Sequence, residues 1–199
     1  MGRRKVEVRR EEILAATVDE MQRLGMANTR AQDVAQALGV STGLLFYHFD
    51  SKDNLLAAAL EYAVDRDLAR LDRALARGRT PMERLRRVVA AYGPTGSAPG
   101  WTLWIDAWSV ALRHQPIAKM LHTLDDRWQA ALCNAIHDGV DSGDFTCDDP
   151  GATATRIGAM LDGLSVAVVV YRTVSRAQLR RWIRATVAEE LGIDAELLD

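Results

Sequence analysis

The stretch TRAQDVAQALGVSTGLLFYHFDSK, residues 29–52, decides the fold. Its apolar residues recur at helical spacing on both sides of Gly39, so the pattern predicts two short helices joined by a turn at that glycine. Ala35 is small enough to let the second helix approach, and Gly39 can adopt a positive φ without steric cost. Leu45 is expected to lock the two helices together. This arrangement is typical of a helix-turn-helix.

The helix after Gly39 is expected to begin after Ser41 or Thr42 and to present slim residues at its start. Ser41, Thr42, Gly43 and Leu44 are predicted to face outward. Short side chains at this position let a helix N-terminus enter the major groove of DNA deeply enough to reach base edges. We therefore take these four residues as candidates for reading the DNA sequence.

Groups suited to phosphate contacts surround this helix. Tyr47 and His48 can donate hydrogen bonds, and Lys52 lies on the first turn of the next helix. Thr29 and the backbone N–H groups of the preceding helix are expected to face the phosphates on the other side. A packed or solvated role for His48 remains an alternative at this point.

The segment resembles the DNA-binding domain of the tetracycline-repressor (TetR) family over about residues 8–60. The resemblance implies that Tyr47, His48 and Lys52 touch phosphates and that residues 41–44 read bases. In two departures from the family pattern, Phe46 stands where Tyr is frequent, and Arg30 stands where Thr is usual and is a candidate for a phosphate contact of its own. An aromatic-His-Phe-x-Ser-Lys signature accompanies the helix-turn-helix spacing, and the matching residues are Ala35, Gly39, Val40, Leu45, Tyr47, His48, Phe49, Ser51 and Lys52.

The remaining chain reads as helices almost from end to end, and strand patterns are nearly absent. We therefore expect an all-α protein of about nine helices, the first beginning near Val8. A long helix capped by Ser51 is expected to link two bodies. Two further helices are expected to begin at capping boxes, one formed by Thr29 with Gln32 and one by Ser175 with Gln178. As the resemblance implies, residues 1–52 are assigned to a helix-turn-helix DNA-binding domain and residues 53–199 to an effector-binding and dimerisation domain. The stretch 93–100 is the clearest loop, and the helix after it is expected to run from Trp101 to about His114.

Charge is balanced over the chain, with 25 Lys+Arg and 27 Asp+Glu and a net charge of −2. A strongly basic, unspecific nucleic-acid-binding protein is therefore excluded. Residues 1–52 nevertheless hold eight of the cations, five of them in the first ten residues. This basic N-terminal arm is expected to add nonspecific attraction to DNA through the release of counterions.

Four of the five tryptophans lie between residues 101 and 128, and three of these share a helix face. They predict an aromatic pocket for a small-molecule effector, and tryptophan faces near a carboxylate would suit a cation. A purely structural role in the core remains the alternative. The pattern, with Leu161-Asp162-Gly163-Leu164, resembles the branch of choline- and pyrimidine-responsive repressors. The candidate ligand residues are Tyr92, Trp101, Trp104, Asp106, Trp108, His114, Met120 and Trp128.

The eighth and ninth helices are the candidates for a homodimer interface. The eighth carries a broad face of small and apolar residues, although that face could instead pack within one subunit. Two-fold symmetry would predict an inverted-repeat operator with half-sites about 34–36 Å, or a multiple of this, apart. The face comprises Ala152, Ala154, Ile157, Gly158, Leu161, Leu164, Ser165, Ala167 and Val168.

Other protein classes find little support in the sequence. The longest apolar run, Val166–Tyr171, is too short to span a membrane, and the charged start is not a secretory signal, so we expect a cytoplasmic protein. We expect no cofactor, no metal and no catalysis, because the histidines and the two cysteines form no recognisable constellation. A helical interaction module without DNA binding would lack the grouping of Tyr47, His48 and Lys52. The sequence thus predicts a repressor that is released from double-stranded operator DNA by a small-molecule effector, with an activator or dual regulator as the alternative.

Overall fold

The computed structural model describes residues 2–93 and 100–198, with side chains from residue 10 onward. The all-α prediction is confirmed, since the described residues form nine α-helices, a π-helical turn at Ala167–Tyr171, a 3₁₀ turn at Ala195–Leu198 and no strand. The helices are α1 (Gly2–Leu24), α2 (Ala31–Leu38), α3 (Thr42–Phe49), α4 (Lys52–Ala76), α5 (Pro81–Tyr92), α6 (Gly100–Ala111), α7 (Gln115–Asp141), α8 (Pro150–Val166) and α9 (Arg176–Leu191).

Several helix ends differ from the sequence-based expectation. Helix α1 begins at Gly2 instead of near Val8. Helix α6 ends at Ala111, because the backbone closes a turn there and His114 caps α7, its Nδ1 accepting a hydrogen bond from the Ile117 N–H at 3.4 Å. Most of the loop predicted at 93–100 lies outside the described residues.

Side-chain caps determine where most of the helices begin, as their sequences predict. Ser51 accepts a hydrogen bond from the Asn54 N–H at 3.1 Å at the start of α4. Ser175 and Gln178 form a reciprocal capping box at the start of α9. These caps satisfy N–H groups that have no partner inside a helix.

The capping box predicted at Thr29 and Gln32 is wrong by one residue. The N-cap of α2 is Arg30, whose N–H donates to the Asp33 carboxylate at 3.0 Å. The Thr29 hydroxyl instead donates to the Gly25 carbonyl at 2.8 Å. Thr29 therefore closes the turn between α1 and α2 and does not cap α2.

The described chain divides into two compact units. The first unit comprises residues 1–67 and 102–121. Its core is a single cluster in which residues from α1, α2, α3 and α4 pack with Leu103 and Ala107 of α6 and Ile117 and Leu121 of α7. This core places the short helices α2 and α3 on a scaffold of longer ones.

The second unit comprises residues 68–101 and 122–199. Its buried side chains come from the end of α4 and from α5, α7, α8 and α9. Helices α8 and α9 are further joined on their outer side by an ion pair between Arg156 and Glu190. Helix α4 passes from the first unit into the second after Asp67. The functional boundary expected at residue 52 stays a prediction.

Candidate nucleic-acid interface and effector site

The turn between α2 and α3 is built as the sequence predicts. Gly39 has a φ of 64°, and its N–H donates to the Gln36 carbonyl at 3.1 Å, while the Val40 N–H donates to the Ala35 carbonyl at 3.0 Å. Leu45 is fully buried against this turn in the core of the first unit. The crossing of α2 and α3 is therefore fixed by backbone hydrogen bonds and by packing.

The start of α3 is slim and open to solvent. The Ser41 Oγ accepts a hydrogen bond from the Leu44 N–H at 3.3 Å and so caps the helix. Ser41 and Gly43 are exposed, and Thr42 and Leu44 are half-buried. A Cβ added at Gly43 would meet only the Ser41 Oγ, at 3.7 Å. The fold itself therefore has room for a larger residue at this position.

Polar and aromatic groups follow on the same helix and the next one. The Tyr47 side chain is 80% exposed, and its ring stands edge-on to that of His48 with 5.3 Å between centroids. Lys52 lies half-buried on the first turn of α4, and Arg30 is exposed at the start of α2. The side chains predicted to contact DNA phosphates are thus accessible to solvent.

Thr29 does not fit its predicted role as a DNA contact. The residue is 1% exposed, and its hydroxyl is held by the Gly25 carbonyl. A side chain without accessible surface cannot reach a phosphate, so we remove Thr29 from the set of predicted contacts. It supports the turn that positions α2.

Arg10 is an additional cation near α3 that was not singled out from the sequence. Its guanidinium lies 5.0 Å from the centroid of the Phe49 ring, at the end of α3, and the residue is exposed. The cluster of cations in the first ten residues was the only available signal. The side chains of Arg3, Arg4, Lys5 and Arg9 lie outside the described residues.

Three of the predicted ligand residues come together in the second unit. The ring of Tyr92 lies 5.1 Å from that of Trp128 in an edge-on arrangement and 6.4 Å from that of Trp101. All three are buried. The Arg70 guanidinium is stacked on Trp128, 5.6 Å from the ring centroid. We call Tyr92, Trp101 and Trp128 the aromatic cluster.

A carboxylate that the sequence analysis did not assign to the ligand set lies beside the aromatic cluster. The Tyr92 hydroxyl donates to Asp162 Oδ1 at 3.0 Å. Burial raises the pKa of Asp162 to about 6, the Tyr92 hydrogen bond opposes this, and the nearby Asp125 charge adds to it. The available signal was an isolated acid in an otherwise small and apolar stretch of α8.

Gln129 adds an unsatisfied acceptor to the same region. Its side chain hydrogen-bonds to Asp125, and because an ionised carboxylate can only accept, the amide nitrogen must face it. The opposite atom, Oε1, is buried without a hydrogen-bond partner among the described residues. Gln129 also packs against Gly158, where an added Cβ would lie 2.3 Å from Nε2. A buried acceptor without a donor is costly, which marks this atom as a candidate ligand contact.

The other five predicted ligand residues belong to the first unit. Trp104 and Met120 pack against the hydrophobic core of that unit. Asp106 accepts a hydrogen bond from the Met26 N–H at 2.8 Å, and His114 is the cap of α7. Trp108 is 38% exposed. Helical spacing places Trp101, Trp104 and Trp108 on one face of α6, but different residues pack against each turn of that face.

The predicted dimer face of α8 is largely buried within the chain. Ala154, Ile157, Leu161 and Ser165 have almost no accessible surface, because this side packs inside the second unit. The opposite side is open and also made of small residues, at Thr155, Ala159 and Gly163. We call these three residues the outer face of α8; a Cβ added at Gly163 would meet nothing within 4 Å.

Helix α8 and the turn after it are, by length and composition alone, long and apolar enough to cross a membrane. Pro150–Tyr171 is the one such stretch among the described residues, and a third of its apolar window is buried. The stretch is not evident in the sequence as one apolar run, because glycine, alanine and threonine interrupt the large apolar residues. Arg156 and Asp162 lie within the stretch.

Family models match both parts of the chain. The model described as bacterial regulatory proteins, tetR family, matches residues 13–59, which include the helix-turn-helix. The model of the BetI-type transcriptional repressor, C-terminal, matches residues 81–192. The two matches leave residues 1–12, 60–80 and 193–199 uncovered.

Individual proteins agree with the family models. The HTH-type transcriptional regulator BetI of Paraburkholderia phymatum is 31% identical over 166 residues, covering 79% of this chain and 80% of its relative. A transcriptional regulator from Saccharomonospora viridis, solved in complex with choline, has a TM-score of 0.85 at 28% identity and covers 93% of this chain and 98% of its own. A TetR regulator from Haloarcula marismortui shares the fold, with a TM-score of 0.81 at 24% identity, 94% of this chain and 97% of its own being covered.

Proposed function

This chain belongs to the TetR family of bacterial transcriptional regulators, and from that premise we propose that it is a dimeric repressor released from its operator by a small organic cation. Regulators of this family bind operator DNA, act as dimers, respond to small molecules and are not enzymes. The match to a BetI-type repressor favours repression over activation. A cytoplasmic location belongs to the same proposal.

The proposed DNA contacts are the accessible residues at α3 and its surroundings. Ser41, Thr42, Gly43 and Leu44 would lie in the major groove, since only slim groups stand between the α3 backbone and solvent. The phosphate contacts would come from Arg30, Tyr47, His48 and Lys52, together with Arg10. The single observation that carries this part is the open start of α3 on a rigidly packed turn.

The proposed effector site is the aromatic cluster with Asp162 and Gln129. Aromatic faces and a carboxylate attract a quaternary ammonium, and the free Gln129 Oε1 would accept a hydrogen bond from a hydroxyl. Choline carries both groups, and it is the molecule bound in the Saccharomonospora viridis regulator. We therefore propose choline, or a close hydroxylated ammonium, as the effector.

The proposed dimer forms through the outer face of α8. Small side chains at Thr155, Ala159 and Gly163 let two helices approach closely, and much of the apolar surface of this stretch is left uncovered by the chain. Covering that surface with a second copy removes it from water. Two-fold symmetry then sets two α3 helices against two half-sites of an inverted repeat.

Two helices offer a route from effector to operator. Helix α4 runs from the first unit into the second, and α6 contributes Trp101 to the second unit and Asp106 to the first. An effector that changes the position of either helix would shift the population of DNA-binding conformations. A tenfold weakening of operator binding needs a differential affinity of about 1.4 kcal/mol between the two states.

Operator titrations with and without choline test this function. The operator would be selected from random duplexes by the purified protein and titrated by fluorescence anisotropy. We expect choline to weaken binding by tenfold or more, and glycerol, which lacks the charge, to leave it unchanged. Operator binding that is indifferent to choline would refute the effector, and failure to select any duplex would refute DNA recognition itself.

A further inference from the structure

The corner between α4 and α5 is strongly basic and has no part in the proposed DNA or effector sites. Residues 73–87, RALARGRTPMERLRR, carry six arginines and one glutamate in a chain whose net charge is −2. A cleft of about 510 Å³ opens at this corner and is lined by Ala76, Arg77, Arg79, Glu83 and Arg87. Guanidinium groups that line one cleft repel each other, so an anion bound there would reduce the electrostatic repulsion between them.

The corner is held rigidly by its backbone. A Cβ at Gly78 would lie 2.5–2.9 Å from side-chain and backbone atoms of Arg84, so only glycine allows this close approach. The Gly78 N–H donates to the Leu75 carbonyl at 3.1 Å, and the Glu83 N–H donates to the Thr80 hydroxyl at 3.1 Å. The arginines are therefore mounted on a fixed turn and not on a loose loop.

The one acid in the cleft does not neutralise it. The Glu83 carboxylate accepts a hydrogen bond from the backbone N–H of Arg79 at 2.8 Å. That bond, and then the charges of Arg87, Arg86 and Arg79, lower the pKa of Glu83. Arg77, Arg79 and Arg87 line the cleft beside this one acid, so a single carboxylate leaves positive charge in excess.

Arg87 supplies a donor that the chain does not use. Its Nε–H is buried and has no acceptor among the described residues. The Arg84 Nε, one turn earlier, is buried without an acceptor as well, but the Arg84 Nη1 pairs with Asp138 at 2.7 Å and the residue is not part of the cleft lining. A guanidinium N–H out of water and without an acceptor is unfavourable, and a phosphate oxygen is the acceptor that the planar fork of arginine fits best.

We infer that the cleft formed by Arg77, Arg79 and Arg87 binds a small phosphate-bearing anion, so that the protein has a second ligand site besides that for its cationic effector. Bidentate contacts from Arg79 and Arg87 would hold two phosphate oxygens, and Arg77 would balance further charge. Glu83 would orient Arg79 by holding its backbone. The cleft is open, so the ligand can carry a larger organic group that extends into solvent.

Pyrophosphate is the probe for this site, titrated into the full-length protein by calorimetry at constant ionic strength maintained with chloride. We expect saturable binding that falls at least tenfold in the double variant Arg77→Gln, Arg79→Gln, whose exposed side chains are not part of the core. Arg87→Gln should weaken binding comparably. Arg180→Gln on α9 removes the same charge from an exposed position and should leave binding unchanged.

Binding that is absent, or that is equal in all variants, would overturn the inference. So would a result in which the double variant loses affinity for nonspecific duplex DNA but not for pyrophosphate, because the corner would then be a DNA contact. Should Arg87→Gln unfold the protein, the double variant still decides the question. The choline titration is a separate measurement, so failure of the effector proposal would not affect this one.

Discussion

The carboxylate of Asp106, in the middle of α6, accepts a hydrogen bond at 2.8 Å from the backbone N–H of Met26, in the turn between α1 and α2. The same carboxylate oxygen lies 3.0 Å from the place a Cβ would occupy at Gly25, where φ is 83°. The turn therefore fits around this side chain. Asp106, expected from the sequence to bind a ligand, holds the base of the helix-turn-helix instead.

Replacing Asp106 should separate the loss of this hydrogen bond from the loss of charge. Asp106→Ala leaves the Met26 N–H without its acceptor, and we expect the free energy of unfolding in urea to fall by about 1–3 kcal/mol. Asp106→Asn keeps an oxygen acceptor and should lose less. Asp19→Ala, at an exposed position on α1, is the control. Equal stability of Asp106→Ala and the control would contradict the assigned role.

A substitution at Gly43 should lower operator affinity without lowering the stability of the fold. Because a Cβ there meets only Ser41 at 3.7 Å, Gly43→Ala should leave stability unchanged or raise it by less than about 1 kcal/mol. Operator affinity should nevertheless fall at least tenfold, since the methyl group would separate the helix from the base edges. Gly151→Ala, likewise the second residue of a capped helix, is the matched control. Unaltered operator binding by Gly43→Ala would argue against groove insertion at this residue.

Lys52 and Tyr47 should contribute affinity without sequence preference. Lys52→Ala removes one phosphate-neutralising charge, so the slope of log K against log salt should become shallower by about 1. Tyr47→Phe removes only the hydroxyl and should weaken all duplexes alike without changing that slope. The anisotropy assay measures both quantities. A change confined to one base position would show that these side chains read sequence.

The outer face of α8 can be tested without disturbing the subunit. Ala159→Arg and Gly163→Arg place a large cation on an exposed face where the chain itself leaves space. We expect both to yield monomers in analytical ultracentrifugation and to lose high-affinity operator binding. Ala130→Arg, on an exposed position of α7, should remain dimeric. Dimers that persist in both α8 variants would place the interface elsewhere.

Effector binding should depend on the ionisation of Asp162. Burial raises the pKa of this carboxyl to about 6, against the Tyr92 hydrogen bond and together with the Asp125 charge. Choline affinity should therefore rise with pH and level off above pH 7, being roughly tenfold lower at pH 5 than at pH 7.5. Asp162→Asn should abolish this dependence, whereas Asp126→Asn, on an exposed residue, should keep it.

The raised pKa of Asp162 also predicts how the stability of the fold depends on pH, and this dependence runs opposite to that of choline affinity. The folded pKa of Asp162 lies above that of the unfolded chain, so between about pH 4 and 6 the folded state holds more protons, and stability falls as the pH rises through this window. Relative to wild type, Asp162→Asn should therefore become progressively more stable as the pH is raised from 4 to 7. Urea midpoints at fixed pH values measure the difference, and parallel curves would contradict the assigned burial.

The helix-turn-helix was determined by the sequence because its signals are local. Ala35, Gly39 and Leu45 lie within eleven residues, and their sizes and backbone freedom leave one way to join two short helices. The caps at Ser51 and Ser175 join residues only three positions apart, so they could also be predicted from the sequence. Thr29 was misread because its hydroxyl can bond backward to Gly25 as easily as forward, and the spacing does not choose between them.

The partners of the long helices were decided by the tertiary structure alone. Helical periodicity tells which residues share a face, but not what packs against each turn of it. Trp101 and Asp106 thus lie on one helix, yet the first joins the aromatic cluster and the second binds Met26, 80 residues earlier in the chain. Tyr92 and Asp162 meet across 70 residues. Such contacts follow from how apolar faces are buried together, which no local pattern encodes.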